Sequence, residues 1–155
     1  MKSILIVCTG NICRSPMAEG ILKLILANKN HTEIKVLSAG IAAGTGFPAS
    51  VNAVTAMAEL GIDIRAHRSQ PITSKLVKES DLILAMELYH KECIEQSFPE
   101  AVGKVKLVKE FGIHSDTNPD IDDPIGGSIA SYRYTAEEIN RCLIDFVAQY
   151  FEGRE

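Results

Sequence analysis

Short apolar runs alternate along the chain with longer segments in which apolar residues recur at spacings of three and four. A compact apolar run predicts a strand buried on both faces, whereas the three- and four-residue spacing predicts an amphipathic helix. The predicted strands are residues 3–7, 34–37, 81–85 and 105–108. The predicted helices are residues 16–29, 49–60, 87–96 and about 128–150.

The order of these elements predicts the α/β fold class. We expect a three-layer sandwich in which a four-stranded parallel sheet, with the flavodoxin-like order 2-1-3-4, carries helices on both faces. No linker, repeat or low-complexity tract divides the chain, so residues 1–155 are expected to form a single domain. In such a sheet the ligand site lies at the carboxyl ends of the strands, which are followed here by residues 8–15 and by the polar stretch 112–127.

The composition is that of an ordinary globular protein, with 46% apolar and 23% charged residues and a net charge of −4. This negative charge argues against nucleic acid or an anionic membrane as a partner. The sequence contains neither a secretory signal nor an apolar stretch long enough to span a membrane. We therefore expect a cytoplasmic protein.

The four cysteines are Cys8, Cys13, Cys93 and Cys142. Their spacing does not match a zinc site, because no second pair of Cys or His residues stands at a suitable distance from the first two. We expect reduced thiols, with no metal and no cofactor. The candidate chemistry lies around Cys8 and Cys13.

A loop with the properties of an anion site follows the first predicted strand. It reads Cys8-Thr9-Gly10-Asn11-Ile12-Cys13-Arg14-Ser15-Pro16. We expect Ser15 to be the N-cap of the next helix and Pro16 to be its first helical residue. Gly10 and Asn11 are the residue types that most readily accept a positive φ. Such turns can direct successive N–H groups inward and form an anion nest at the helix N-terminus.

The side chains of this loop predict nucleophilic chemistry on a phosphoryl group. Arg14 offers a planar fork that can hold two phosphoryl oxygens. The positive surroundings favour the thiolate form of Cys8, which would then be placed for in-line attack on phosphorus. The Ser15 hydroxyl can donate to the sulfur and stabilise it as a leaving group. The loop therefore predicts a cysteine-dependent phosphatase.

This loop resembles the signature of the low-molecular-weight protein tyrosine phosphatases, and the resemblance extends through nearly the whole chain. It includes Ser38-Ala39-Gly40, residues 81–86 and the pair Asp123-Pro124. The resemblance implies that Cys8 forms a phosphocysteine intermediate and that Arg14 binds the phosphate and the transition state. The implied phosphate-binding residues are Thr9, Gly10, Asn11, Ile12, Cys13 and Ser15. The implied network that holds the loop in shape comprises Asn11, Ser15, Ser38 and His67.

The leaving group needs a proton, which a carboxyl group at the mouth of the pocket can supply. Asp123 is the predicted acid, because it precedes Pro124 in the loop after the fourth strand and the family has an Asp-Pro pair in that role. The alternatives from sequence alone are Asp116, Asp120 and Asp122. A calcium loop in this stretch is excluded because Ile121 and Gly127 stand where Gly and Glu are required. Solvent exposure is the expected state of Asp116 and Asp120.

The substrate is predicted from the residues expected to line the pocket wall, Ile12, Phe47 and Ile125. Tyrosine-directed members usually carry aromatic residues after the Asp-Pro pair, whereas residues 123–129 resemble the bacterial branch that includes protein arginine phosphatases. In that branch a threonine is typical at the position of Ile12. A branched apolar side chain suits an aromatic ring better than a guanidinium group. We therefore expect phosphotyrosine as the substrate, with phosphoarginine as the alternative.

Two other classes of function share parts of this pattern. A thioredoxin-coupled arsenate reductase needs two further cysteines near the end of the third strand, where this chain has Met86 and only Cys93 nearby. A phosphopeptide-binding module would not need both Cys8 and Asp123. We expect a monomer that acts on a phosphorylated protein and that releases, and is inhibited by, inorganic phosphate. The family resemblance also implies that Cys13 can form a protective disulfide with Cys8 under oxidation.

Overall fold

Four parallel strands form the central sheet of the protein, which is a computed structural model describing residues 1–112 and 117–153. The strands are β1 (Ser3–Cys8), β2 (Lys35–Gly40), β3 (Leu82–Ala85) and β4 (Val105–Leu107). Their order across the sheet is β2-β1-β3-β4, and all three pairings are parallel. The predicted α/β fold and its strand order are confirmed.

Five α-helices connect and cover these strands. They are α1 (Arg14–Asn28), α2 (Val51–Glu59), α3 (Ser74–Glu79), α4 (Leu88–Ser97) and α5 (Ile129–Val147). Single 3₁₀ turns occupy Pro99–Ala101 and Val108–Glu110, and a π-helical turn over Ala148–Glu152 follows α5. None of the helices in the described ranges is long and apolar enough to cross a membrane.

The residues of β1 divide the core into two halves, because successive side chains of a strand point to opposite faces. Ile4 and Ile6 pack with buried residues of α1, α2 and α5. Leu5 and Val7 pack on the other face, with buried residues of α3 and α4. The sheet is thus covered on both faces, which accounts for the uninterrupted apolar run in its sequence.

The second strand is longer than predicted, because β2 continues to Gly40 instead of ending at residue 37. Its last residue pairs with Cys8, the last residue of β1. A Cβ atom on Gly40 would lie 2.4 Å from the carbonyl oxygen of Thr9, so only glycine permits this close approach. The extension brings Ser38 and the loop after β2 to the end of β1.

Two helix assignments also differ from prediction. Helix α1 begins at Arg14, two residues before the predicted start at Pro16. Helix α3, Ser74–Glu79, was not predicted, because a single short turn with one buried residue, Val77, shows no apolar periodicity. Its N-cap is Thr73, whose hydroxyl accepts a hydrogen bond from the Leu76 N–H.

Candidate active site

The sulfur of Cys8 lies at the carboxyl end of the central strand β1 and is buried. Its neighbours are the Ser15 Oγ at 2.9 Å and the backbone N–H of Asn11, whose nitrogen is 3.3 Å away. The Ser15 hydroxyl also accepts a hydrogen bond of 2.8 Å from the Asn11 amide, which leaves its own hydrogen for the sulfur. Two donors directed at one sulfur stabilise a thiolate.

This use of Ser15 corrects its predicted role as a helix N-cap. The structure places the N-cap of α1 at Cys13, with no capping hydrogen bond from its side chain. Ser15 lies inside the first turn of α1, and its hydroxyl is committed to Cys8 and Asn11. The Ser-Pro pair predicted a cap because it is typical of the start of a helix. In the structure the Ser15 hydroxyl instead makes its hydrogen bond to the buried Cys8 sulfur.

Asn11 is at the centre of the loop between β1 and α1. Its φ of 58° places it in the left-handed region, as expected, whereas Gly10 does not have a positive φ. Its side-chain amide donates to Ser15 and to the Ser38 Oγ, at 2.8 and 3.0 Å. Its side-chain oxygen accepts from the Gln70 N–H at 3.0 Å. The fully bonded Asn11 side chain therefore holds the strained turn in one conformation.

The remaining predicted loop-supporting residues are brought to the same place. The Nε2 of His67 lies 2.7 Å from the carbonyl oxygen of Asn11. The Ser38 hydroxyl accepts from Asn11 and donates to the Glu19 carboxylate at 2.6 Å. Sequence reasoning missed Glu19 and Gln70, because no local pattern separates them from other polar residues.

Arg14 is 1% exposed, and its guanidinium group is held by two partners, one that follows β3 and one in the loop after β4. Its Nη1 donates to the Glu87 carboxylate at 2.6 Å and to the carbonyl oxygen of Ile121 at 2.7 Å. A buried guanidinium needs such partners, because removing it from water is costly. Glu87 was also missed, although a carboxylate directly after the third strand is a signal for this edge of the sheet.

Asp123 lies beside Arg14 and at the mouth of the site. Its Oδ2 is 3.4 Å from Arg14 Nη2, and its side chain is 37% exposed. Its other oxygen accepts a hydrogen bond of 3.1 Å from the Ile125 N–H. The carboxyl group is therefore oriented by its own loop, with one oxygen turned towards the guanidinium. The structure places Asp123, the predicted acid, beside Arg14.

The alternative acids occupy different places. Asp122 is exposed, and Asp116 lies outside the described residues. Asp120 was expected to be only solvated, but its carboxylate accepts a hydrogen bond of 2.8 Å from the Leu88 N–H at the start of α4. This contact caps a helix whose own N-cap side chain, Glu87, makes no capping bond. Across residues 1–112 and 117–153, no group of three or more His, Cys, Asp or Glu side chains could hold a metal ion.

The predicted wall residues differ in burial. Ile12 lies on the loop of residues 8–15, named the phosphate loop here for its predicted role. It is half-buried and packs against the core. Phe47 and Ile125 come from the loops after β2 and β4, and they are 60% and 57% exposed. Ser69 fixes the backbone of Phe47, since its hydroxyl accepts from the Phe47 N–H at 3.0 Å and its N–H donates to the Phe47 carbonyl at 2.7 Å. Phe47 and Ile125 are thus largely open to solvent, whereas Ile12 is partly covered.

Cys13 differs from Cys8 in its surroundings. It is buried, with the Tyr132 hydroxyl at 3.3 Å and the Ser50 hydroxyl at 3.4 Å. Burial raises the pKa of the Cys13 thiol, and the nearby charge of Asp123 acts in the same direction. The raised pKa therefore favours the neutral thiol form of Cys13.

The model of one protein family, the low molecular weight phosphotyrosine protein phosphatases, matches residues 3–153. The chain belongs to this family. A protein-arginine-phosphatase of Geobacillus stearothermophilus is 42% identical over 152 residues, covering 98% of this chain and 97% of that protein. A probable low molecular weight protein-tyrosine-phosphatase, EpsP, of Ralstonia nicotianae is 40% identical over 141 residues, covering 91% and 90%.

A solved structure from the same phosphatase family shares the fold closely. It is the YwlE arginine phosphatase, in a mutant with serine in place of cysteine and with a phosphorylated active-site serine. It superimposes with a TM-score of 0.90 at 38% identity, covering 98% of this chain and 97% of that one. Relatives of similar identity thus carry names that refer to two different phosphorylated side chains.

Proposed function

We propose that this family member is a protein phosphatase that hydrolyses phosphotyrosine through a phosphocysteine intermediate. The observation that carries the proposal is the Cys8 sulfur, which accepts two hydrogen bonds at the N-terminal end of α1 beside the buried Arg14. A thiolate at this position would lie next to a phosphoryl group that the loop N–H groups and the helix dipole bind.

In the first step, the Cys8 Sγ attacks phosphorus in line with the departing tyrosine oxygen. The S–P bond forms as the P–O bond breaks, and Asp123, in its protonated form, gives its proton to the leaving oxygen. Arg14 and the loop N–H groups hold the three peripheral phosphoryl oxygens, where negative charge is concentrated in the transition state. The products of this step are tyrosine and phosphocysteine.

In the second step, the Asp123 carboxylate accepts a proton from a water molecule whose oxygen attacks phosphorus. The S–P bond breaks, and the electron pair returns to Cys8 as a thiolate. Ser15 and the Asn11 N–H already donate to this sulfur, so they stabilise it as the leaving group. Inorganic phosphate is released, and because it fits the same loop it also inhibits.

The enzymatic proposal is tested with a chromogenic aryl phosphate and the variants Cys8→Ser and Cys93→Ser. Loss of the nucleophile should abolish turnover in Cys8→Ser while the phosphate loop still binds phosphate. Cys93, half-buried on α4, is the matched control, and its replacement should leave kcat within about twofold of the wild type. Absence of turnover in the wild type would contradict the proposal and favour a phosphopeptide-binding module. A large loss of activity in Cys93→Ser would show that a second cysteine takes part, as an arsenate reductase requires.

The choice of phosphotyrosine is supported by Ile12, whose apolar side chain stands on the phosphate loop. Phosphoarginine is the second candidate, supported by the names of the Geobacillus relative and of the YwlE structure. The test is kcat/KM on phosphotyrosine and phosphoarginine peptides, for the wild type and Ile12→Thr. We expect Ile12→Thr to change the ratio of the two kcat/KM values by tenfold or more in favour of phosphoarginine. A single changed contact in a binding pocket is worth about 1–3 kcal/mol of discrimination between substrates, which corresponds to a change of this size. A wild type that already prefers phosphoarginine would overturn the assignment.

We also propose that Cys13 protects Cys8 under oxidation by forming a disulfide with it, and that the protein acts as a cytoplasmic monomer. All four cysteines are free thiols in the structure, as the reaction requires of Cys8. Peroxide should inactivate the wild type reversibly and Cys13→Ala irreversibly, with activity measured before and after a dithiol. Irreversible loss in the wild type would contradict the protective role.

A further inference from the structure

His90 is a buried histidine that the reaction described above does not use. It lies in the first turn of α4 and is 0% exposed. Its Nε2 is 2.8 Å from the hydroxyl of Thr9, the residue that follows the nucleophile. This contact joins α4 to the phosphate loop across 81 positions of sequence.

Thr9 is held from a second direction by the loop after β2. Its carbonyl oxygen accepts a hydrogen bond of 3.0 Å from the Ala42 N–H, at the close approach that Gly40 permits. The carbonyl of Thr9 and the N–H of Gly10 belong to one planar peptide. Because the carbonyl and the hydroxyl of Thr9 are both anchored, the direction of the Gly10 N–H within the phosphate loop is set as well.

The surroundings of His90 select one form of its ring. The Nδ1 atom has no hydrogen-bond partner among the described residues, so a proton there would be buried and unsatisfied. The Nε2 atom also lies 3.7 Å from the Glu87 carboxylate oxygen that binds Arg14, and a bare nitrogen would turn its lone pair towards that charge. The neutral ring with its hydrogen on Nε2, donating to Thr9, avoids both penalties.

The charged groups around His90 come from three elements, and they oppose one another. Glu87 at the N-cap of α4, and Asp120 and Asp123 in the loop after β4, favour a charged ring, whereas Arg14 on α1 disfavours it. Burial is the largest influence, and it lowers the pKa of His90. A protonated His90 would compete with Arg14 for the Glu87 carboxylate, whereas a neutral ring leaves the ion pair between Glu87 and Arg14 intact.

We propose that His90 is a positioning residue, whose neutral ring donates from Nε2 to the Thr9 hydroxyl and thereby orients the Thr9–Gly10 peptide for phosphoryl binding. This inference rests on the proposed phosphatase function. It assigns to the start of α4 a hold on both ends of the phosphate loop, through the N-cap residue Glu87 at Arg14 and through His90 at Thr9.

The test is a double-mutant cycle in kcat/KM on an aryl phosphate, with His90→Leu and Thr9→Val. Each single variant should lose about tenfold, as expected when one hydrogen bond is lost. The double variant should lose no more than the worse single variant, because both remove the same bond. A double loss near the product of the two single losses would overturn the proposal.

Two further variants separate positioning from packing. His90→Gln keeps an N–H at nearly the reach of Nε2 and should restore most of the activity that His90→Leu loses, whereas equal losses would show that only packing matters. Tyr89→Leu, on the neighbouring exposed residue of α4, is the matched control. In the double variant with Thr9→Val, the two losses of kcat/KM should multiply, because Tyr89 takes no part in the hydrogen bond between His90 and Thr9.

A measurement without turnover keeps this proposal distinct from the proposed function. Nitrogen-15 NMR of wild-type His90 should show a neutral ring protonated on Nε2 at pH 7, with a shift of that resonance in Thr9→Val. A ring protonated on Nδ1 or on both nitrogens would contradict the assignment. A protein with the expected resonances but no phosphatase activity would instead refute the proposed function.

Discussion

The two loops that form the site, residues 8–15 and residues 117–128, are built in contrasting ways. The first is mostly buried, apart from the exposed Thr9 and the half-buried Gly10 and Ile12. Asn11 and Arg14 within it are bonded to β2, to the segment around Gln70 and to the N-cap residue of α4. The second is anchored around Asp120 and Ile121, where the Leu88 N–H donates to the Asp120 carboxylate and Arg14 donates to the Ile121 carbonyl. Its Ile121 N–H donates to the Met86 carbonyl at 2.9 Å, while Asp122, Asp123 and Ile125 are exposed.

The contrast separates two tasks. Hydrogen bonds and charges act strongly where water is excluded, so the buried loop can stabilise a thiolate and a phosphoryl group without rearranging. In the proposed reaction the exposed loop supplies the proton from Asp123, and a carboxyl group must reach solvent in order to exchange its proton. We therefore expect changes in the buried loop to cost more activity than changes in the exposed one.

Apart from the loss of Cys8, the largest effect is expected for Arg14→Lys. A lysine keeps the positive charge but loses the planar fork that reaches Glu87, Ile121 and a phosphoryl group together. We expect kcat/KM on an aryl phosphate to fall by about 10²–10³-fold, as for the loss of a buried transition-state donor. Circular dichroism serves as the control for folding, and a loss below tenfold in a folded variant would show that charge alone is enough.

A smaller loss is expected in the exposed loop for Asp123→Ala. Removal of the proposed general acid should lower kcat on an aryl phosphate by roughly 10²-fold, and less when the leaving group is already acidic. Asp122→Ala is the matched control, because its exposed carboxylate is adjacent in sequence. Steady-state rates on a series of aryl phosphates measure both variants. A greater dependence on the leaving group in Asp122→Ala would reassign the acid.

The smallest effect concerns the pH dependence of stability. Because burial lowers the pKa of His90 from 6.5, the unfolded chain takes up a proton as the pH falls below that value while the native protein does not. The free energy of unfolding should therefore decrease towards lower pH, by at most about 1.4 kcal/mol per pH unit, until the native pKa is passed. Urea unfolding between about pH 7.5 and 5 measures it.

His90→Gln should remove this decrease, whereas His31→Gln, a change at a histidine outside the site, should retain it. The acidic groups whose pKa values are lowered, such as Asp63 at about 2, lose their contribution only at much lower pH. The same decrease in His90→Gln as in the wild type would show that His90 is not its source.

Much of the fold was predictable because it depends on patterns local to the sequence. A buried strand, a loop with Gly and Asn, and a helix follow one another within residues 3–29, and that order already placed Cys8 and Arg14 together. Helix α3 was not predictable, since six residues with one buried side chain carry no period. The end of β2 was missed because its Ser-Ala-Gly segment has little strand propensity and is held by pairing with β1.

The sequence by itself determined the chemistry of the site: a cysteine and an arginine on one loop, and an aspartate before a proline. Only the tertiary structure decided how that chemistry is held. Glu87 binds Arg14 although 73 positions separate them in the sequence, and His90 binds Thr9 across 81 positions. Ser15 binds the Cys8 sulfur and does not cap the helix. The reason is physical, because hydrogen bonds between distant residues depend on burial and distance, which no local spacing encodes.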